Sequence, residues 1–61
     1  MKVSEFKRLI KKQNCRFLEN GGEHDVWENT KTGQVTRIPR HNSQEIGTGL
    51  ANRMLKDLGL K

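Results

Sequence analysis

Residues 21–27, with the sequence GGEHDVW, constrain the fold of this chain more than any other stretch. Two adjacent glycines can adopt positive φ, so the chain can reverse direction there and enter a strand. Side chains alternate across a strand, which places Asp25 and Trp27 on one face and His24 and Val26 on the other. Trp27 is the only tryptophan, and we expect it to face the core. His24 then points away from the core, towards solvent or a ligand.

Apolar residues with helical spacing predict one helix near each end of the chain. The first is expected over residues 4–13, with Ser4 as its N-cap and Asn14 in a left-handed conformation after its end. Its apolar stripe faces inward, and basic side chains cover the opposite side. The second helix is expected to open at residues 47–49 and to stop at Gly59. Its apolar stripe recurs at four-residue spacing and comprises Ile46, Leu50, Met54 and Leu58.

Between the helices, short apolar runs separated by turn residues predict three strands joined as an antiparallel meander. They are expected over residues 15–20, 23–29 and 34–38, and Pro39 ends the third because it cannot donate to a ladder. The predicted fold class is therefore α+β in the order α-β-β-β-α, with both helices covering one face of the sheet. The other face stays exposed and carries His24.

The chain is short and basic, which limits the kind of ligand it can bind. We expect a single domain over residues 1–61, whose core is too small to enclose a deep substrate cavity. Six basic residues and one acidic residue give residues 1–18 a charge of +5, whereas six basic and six acidic residues in 19–61 cancel. A one-sided basic surface attracts phosphate backbones or acidic proteins.

Cysteine usage and hydropathy bear on the location of the protein. Cys15 is the only cysteine, so no internal disulfide can form, as is typical of a reducing compartment. Nowhere do more than two apolar residues adjoin, so we expect neither a signal peptide nor a membrane span. The expected location is the cytoplasm.

His24 is the strongest candidate for chemistry, because an imidazole can accept or donate a proton near neutral pH. RNA cleavage requires a base that takes the proton of a 2′-hydroxyl and an acid that protonates the departing 5′-oxygen. Cationic side chains can stabilise the charge on the phosphoryl oxygens. The alternative is a surface histidine without a role. The candidate RNA-binding residues are Lys31, Arg37, Arg40, His41, Lys7 and Lys11.

Other residues are weaker candidates for chemistry. The histidines, acids and single cysteine have no recognised zinc spacing, and Cys15 is better used in the core. Nothing in the sequence places a base beside Cys15 to make it a nucleophile. We therefore expect neither a metal nor a cofactor. Glu23 and Asp25 flank His24 and can tune its proton affinity, but they also repel phosphate.

Several motifs occur in a characteristic order over nearly the whole chain. They are the amphipathic first helix, Gly22-Glu23-His24-Asp25 in place of a Gly-Ser-His-His-like motif, Trp27, Pro39-Arg40-His41, Gly47-Thr48-Gly49-Leu50 and Leu58-Gly59-Leu60. In this order and spacing they resemble the HicA-type toxins, the ribonuclease half of a bacterial toxin–antitoxin pair.

The resemblance implies the fold of a double-stranded-RNA-binding domain and ribosome-independent cleavage of mRNA. The histidine of the family motif falls on His24, which would be the catalytic residue. A HicB-type antitoxin would cover the active face, and the pair would bind operator DNA only through the antitoxin. The chain departs from the motif at Glu23 and Asp25, which replace the serine and the second histidine.

Two other functions fit the same residues. A non-catalytic RNA-binding module of this fold would bind duplex RNA by shape and 2′-hydroxyl contacts, without turnover. A protein-interaction domain would use the basic helix to bind an acidic partner in a salt-sensitive way, and would not bind RNA.

Overall fold

A computed structural model describes residues 1–61 as two helices that flank a three-stranded sheet. The elements are helix α1 (Val3–Lys11), strands β1 (Cys15–Gly21), β2 (His24–Asn29) and β3 (Val35–Pro39), and helix α2 (Thr48–Asp57). The strands are antiparallel in the order β1-β2-β3. The predicted α+β class and element order are confirmed. Neither helix combines the length and the apolar character that crossing a membrane requires.

The start of α1 differs from the prediction. The helix begins at Val3 with Lys2 in the N-cap position, so the assignment of Ser4 as the cap is wrong. The backbone N–H of Val3 donates to the Gln44 carbonyl over 2.9 Å. The N–H of Ser4 donates to the Asn42 carbonyl over 3.0 Å. Carbonyls of the loop before α2 thus satisfy the amides that a capping side chain would otherwise serve.

The end of α1 follows the predicted conformation but comes earlier. The helix ends at Lys11, two residues before the predicted position 13. Asn14 has a φ of 68°, which confirms the left-handed turn between α1 and β1. An asparagine tolerates this conformation better than most residues with a side chain. The turn directs Cys15 into the sheet, where it pairs with Asn29 of β2.

The core lies between the helices and one face of the sheet. Trp27 is only 4% exposed, which confirms its predicted inward position. Leu50 is 37% exposed, so its predicted place in the inward stripe of α2 is wrong. Ile46 is buried as expected but precedes the helix. The buried apolar residues are Val3, Phe6, Ile10, Cys15, Trp27, Ile38, Ile46, Met54 and Leu58.

Two buried polar residues fasten α2 to the sheet. The Asn29 side-chain N–H donates to the Leu58 carbonyl over 2.7 Å, and its oxygen accepts the Lys31 N–H over 2.9 Å. The Thr36 hydroxyl lies 3.0 Å from the Asp57 carboxylate and donates to it. These contacts fix α2 beside β3, and thereby fix the helix residues that flank the open face.

Candidate active site

His24 is the first residue of β2 and follows a tight two-residue hairpin loop. Gly21 pairs with His24 across the hairpin, and Gly22 and Glu23 form the loop. Gly22 has a φ of 77° and Glu23 has a negative φ, the pattern of a type II′ turn. A Cβ on Gly21 would lie 3.0 Å from the His24 carbonyl oxygen. Both glycines are therefore needed for the chain to reverse immediately before His24.

The side chains of β2 divide between two faces as alternation predicts. Asp25, Trp27 and Asn29 are buried beneath the helices, whereas His24 is exposed. Arg37 of β3 lies opposite Val26, so it shares the open face with His24, as predicted. We call this side, which the helices do not cover, the open face.

Two grooves meet at His24. One runs from the open face across β3 to α2, has a volume of about 660 Å³ and combines apolar with charged side chains. The other lies at the end of the sheet and has no apolar side chain apart from the proline ring. We call the first the mixed groove and the second the polar groove. Besides His24, the mixed groove contains Val26, Val35, Thr36, Arg37, Leu50, Arg53, Met54 and Asp57. Besides His24, the polar groove contains Gly22, Glu23, Pro39, Arg40, His41 and Gln44.

Four of the predicted site residues therefore lie around one centre. Arg37 is in the mixed groove with His24, and Arg40 and His41 are in the polar groove on its other side. Lys31 is not brought to this centre. It lies two residues beyond Asn29, the last residue of β2, and the five steps from His24 to Asn29 span roughly 17 Å of strand. Lys31 lies at the opposite end of the sheet and contributes to neither groove.

Lys7 and Lys11 lie on the helix-covered side, away from His24. Their amino groups are 5.9 and 5.7 Å from the centre of the Trp27 ring. The Lys7 amine also donates to the Asn42 side-chain oxygen over 2.9 Å. The Trp27 ring N–H is buried without an acceptor. These amines thus cover the tryptophan and do not reach a phosphate held at His24.

The carboxylates of Glu23 and Asp25, which flank His24 in sequence, do not repel a bound phosphate equally. The Asp25 side chain faces the buried side, and its Oδ1 accepts from the Arg40 Nε over 3.3 Å. Its charge is thus paired on the opposite side of the sheet from His24. Glu23 is exposed at the tip of the hairpin and lines the polar groove. The repulsion expected from the sequence therefore comes from Glu23 alone, at one end of the site.

Cys15 and the acidic residues form no second reactive centre. Cys15 is 5% exposed, and burial raises the pKa of its thiol, which disfavours the reactive thiolate. No three histidine, cysteine, aspartate or glutamate side chains cluster as metal ligands would. The proton-transfer candidates near the open face are therefore the two imidazoles, His24 and His41.

Arg53 is a component of the site that sequence reasoning missed. It lies on α2, follows Leu50 by three residues and faces the mixed groove with Arg37. The available signal was a basic residue at the margin of an apolar stripe. Such a pattern does not reveal which strand the helix packs against, so Arg53 could not be assigned to His24.

An exposed imidazole between arginine-lined grooves on a small α-β-β-β-α fold defines a class of basic protein suited to bind and act on phosphodiesters. The sequence profile of the HicA toxin of bacterial toxin–antitoxin systems matches residues 3–60. The chain belongs to the HicA toxin family.

Individual relatives extend over the whole chain. It is 39% identical over 61 residues to a probable mRNA interferase HicA of Pseudomonas fluorescens strain Pf0-1, covering 100% of this chain and 98% of the relative. It is also 39% identical over 61 residues to a probable mRNA interferase HicA 2 of Photorhabdus laumondii subsp. laumondii, covering 100% of both. A chain in the crystal structure of the E. coli HicAB toxin–antitoxin complex superposes with a TM-score of 0.84. The two are 35% identical, and the superposition covers 98% of this chain and 100% of that chain.

Proposed function

We propose that this chain is the toxin of a type II toxin–antitoxin pair and an endoribonuclease that cleaves mRNA with His24 as general acid or base. The observation that carries the proposal is the exposed His24 at the junction of two grooves, with arginines on both sides. The names of the Pseudomonas and Photorhabdus relatives, probable mRNA interferases, support the same activity.

In the proposed reaction a phosphodiester lies beside His24 on the open face. His24 takes the proton of the 2′-hydroxyl, whose oxygen attacks phosphorus while the bond to the 5′-oxygen breaks. The 5′-oxygen leaves with a proton from a second donor, and a 2′,3′-cyclic phosphate remains. His41 in the polar groove or water supplies that proton. Arg37 stabilises the charge on the phosphoryl oxygens, and the scheme uses no metal ion or cofactor.

The proposed partner is a HicB-type antitoxin, as the E. coli relative was crystallised as a HicAB complex. Its binding to the open face would cover His24 and both grooves, and so would block access of RNA. Operator DNA would be bound by the pair through the antitoxin. The proposed setting is the cytoplasm, where mRNA is available.

Cleavage of a single-stranded RNA in EDTA tests the proposal. We expect the native chain to cut this RNA and to spare an oligonucleotide with 2′-deoxy linkages, because the 2′-oxygen is the nucleophile. The variant His24→Ala should lose at least about 100-fold in rate, the usual contribution of a general acid or base. His41→Ala should lose less than His24→Ala, because water can replace His41 as the proton donor.

Two outcomes would contradict the proposal. If His24→Ala cuts RNA at the native rate, His24 is not the catalytic group. If the native chain and His24→Ala bind RNA equally and neither cuts it, the protein is a non-catalytic RNA-binding module.

A further inference from the structure

The mixed groove leaves apolar side chains exposed beside charged ones. Val35 is 46% exposed and Leu50 is 37% exposed, and they stand on opposite walls, β3 and α2. Val26 lies half-buried between them on the open face. Apolar groups left in water beside a cleft are characteristic of a binding surface.

The same groove carries two guanidinium groups. Arg37 comes from β3 and Arg53 from α2, so they approach from two elements. Guanidinium groups bind phosphate oxygens in pairs of hydrogen bonds. Neither arginine forms an ion pair, whereas Arg16 and Arg40 do. Arg37 and Arg53 are therefore available for an anionic ligand.

Apolar walls next to paired cations fit one nucleotide of a single-stranded RNA. A base has a flat apolar face that can lie against aliphatic side chains, and its phosphate can reach the arginines. In a duplex the base faces are stacked inside the helix and cannot enter the groove. The ring of Pro39 is the only apolar side chain in the polar groove, so the two grooves beside His24 differ in chemistry.

We propose that the mixed groove is a base-binding subsite for one nucleotide adjacent to the cleaved linkage, with Arg53 binding the phosphate of that nucleotide. The RNA strand would then cross His24 in one direction only, with its other side in the polar groove. This inference rests on the proposed ribonuclease function and adds a subsite to it.

The first test removes single bases from the substrate. The cut position of a short RNA is mapped with the native chain, and each neighbouring nucleotide is then replaced in turn by an abasic residue. We expect kcat/KM to fall about tenfold for the abasic residue on one side of the cut, because it no longer buries the apolar face of a base against the aliphatic walls. The abasic residue on the other side should have little effect.

Protein variants test whether the fall in kcat/KM with the abasic RNA arises from the mixed groove. Leu50→Ala should cut the complete RNA more slowly and should no longer respond to the abasic residue. Leu18→Ala is the matched control, since Leu18 is 38% exposed and lies outside both grooves. Leu18→Ala should retain the native sensitivity, and thermal unfolding of both variants establishes that they are folded.

The phosphate contact is tested by Arg53→Gln with Lys56→Gln as its control on the same helix. Lys56 is exposed and lines neither groove. Removing one phosphate contact should reduce the slope of log binding constant against log salt by about 0.7 for a single strand. The slope for Lys56→Gln should match that of the native chain. Binding is measured with an RNA whose scissile linkage carries a 2′-deoxy sugar.

The outcomes separate this inference from the proposed function. If the native chain cuts RNA through His24 but responds equally to abasic residues on both sides, the subsite is overturned and the ribonuclease stands. The same conclusion follows if the salt slope of Arg53→Gln equals those of Lys56→Gln and the native chain. If no chain cuts RNA, the proposed function fails, and affinity for the abasic and complete uncleavable RNAs decides the subsite alone.

Discussion

The two faces of the sheet use the same strand for opposite purposes. On the covered face, Trp27 and Asn29 of β2 are buried and join the sheet to both helices. On the open face, His24 of the same strand is exposed between two grooves. Alternation along β2 thus places groups that stabilise the fold on one face and a group suited to chemistry on the other. In a chain of 61 residues, this alternation is how a small core and a reactive surface coexist.

Because the two faces carry different groups, substitutions should affect stability and activity separately. Residues of the covered face should change the free energy of unfolding, and residues of the open face should change RNA cleavage or binding. The substitutions that follow test this separation, and those with the greatest predicted change in the free energy of unfolding come first.

Replacement of the central tryptophan should have the largest effect on stability. Trp27→Ala removes the largest side chain of the core and should cost about 3–5 kcal/mol in the free energy of unfolding. That loss is comparable to the whole stability of so small a domain, so the variant should be mostly unfolded. Urea titration followed by circular dichroism measures it. A well-folded Trp27→Ala would show that the covered face is not the source of stability.

Asn29→Ala should have the next largest effect. The substitution leaves the buried Leu58 carbonyl and the Lys31 N–H without their partners, at a cost of about 1–3 kcal/mol. Asn20→Ala is the control, because Asn20 is exposed on β1 and its replacement should change stability by less than about 0.5 kcal/mol. Equal unfolding midpoints for the two variants would contradict the role of Asn29 in fastening α2.

Arg37 and Arg40 of the same chain segment test the difference between the two faces, because only Arg40 is paired with a buried carboxylate. Arg40→Gln removes the partner of the buried Asp25 carboxylate and should lower the free energy of unfolding by about 1–2 kcal/mol. Arg37→Gln removes an unpaired surface charge and should change it by less than about 0.5 kcal/mol. Arg37→Gln should reduce the salt dependence of RNA binding more than Arg40→Gln, because the Arg40 charge is already paired with Asp25. Equal stabilities would show that the pair with Asp25 contributes nothing measurable.

The smallest predicted effect concerns the rate at which Cys15, the only cysteine, is labelled in the native and the unfolded chain. Burial raises the pKa of the Cys15 thiol, so the native chain should react with a disulfide reagent more slowly than the urea-unfolded chain. The rate should also begin to rise at a higher pH in the native chain. Because the folded pKa is the higher one, the contribution of this group to stability is present below the unfolded pKa and is lost as pH rises through the folded pKa. Equal rates for folded and unfolded chains would contradict the burial of Cys15.

Local chemistry was sufficient to predict much of this molecule. The alternation of β2 predicted the opposite positions of His24 and Trp27, and the left-handed turn at Asn14 follows from its preference for that conformation. Both depend on residues adjacent in sequence. The placement of Arg37 beside His24 also followed, because alternation within each strand sets the face of a side chain.

The errors came where distant segments decide the local structure. Ser4 is not the cap of α1, since carbonyls about forty residues later serve its amides. Leu50 is exposed and Arg53 lines the groove that contains His24, because Asn29 and Thr36 hold α2 beside β3. Periodicity describes one helix at a time and carries no information on these contacts.

Measuring RNA cleavage and folding on the same sample of His24→Ala tests the role of His24 most directly. We expect the unfolding midpoint to stay near that of the native chain, since an exposed surface side chain is removed. We also expect metal-free cleavage to fall by at least about 100-fold. Cleavage at the native rate by the folded variant would contradict the catalytic role of His24, because another residue would then carry out the reaction.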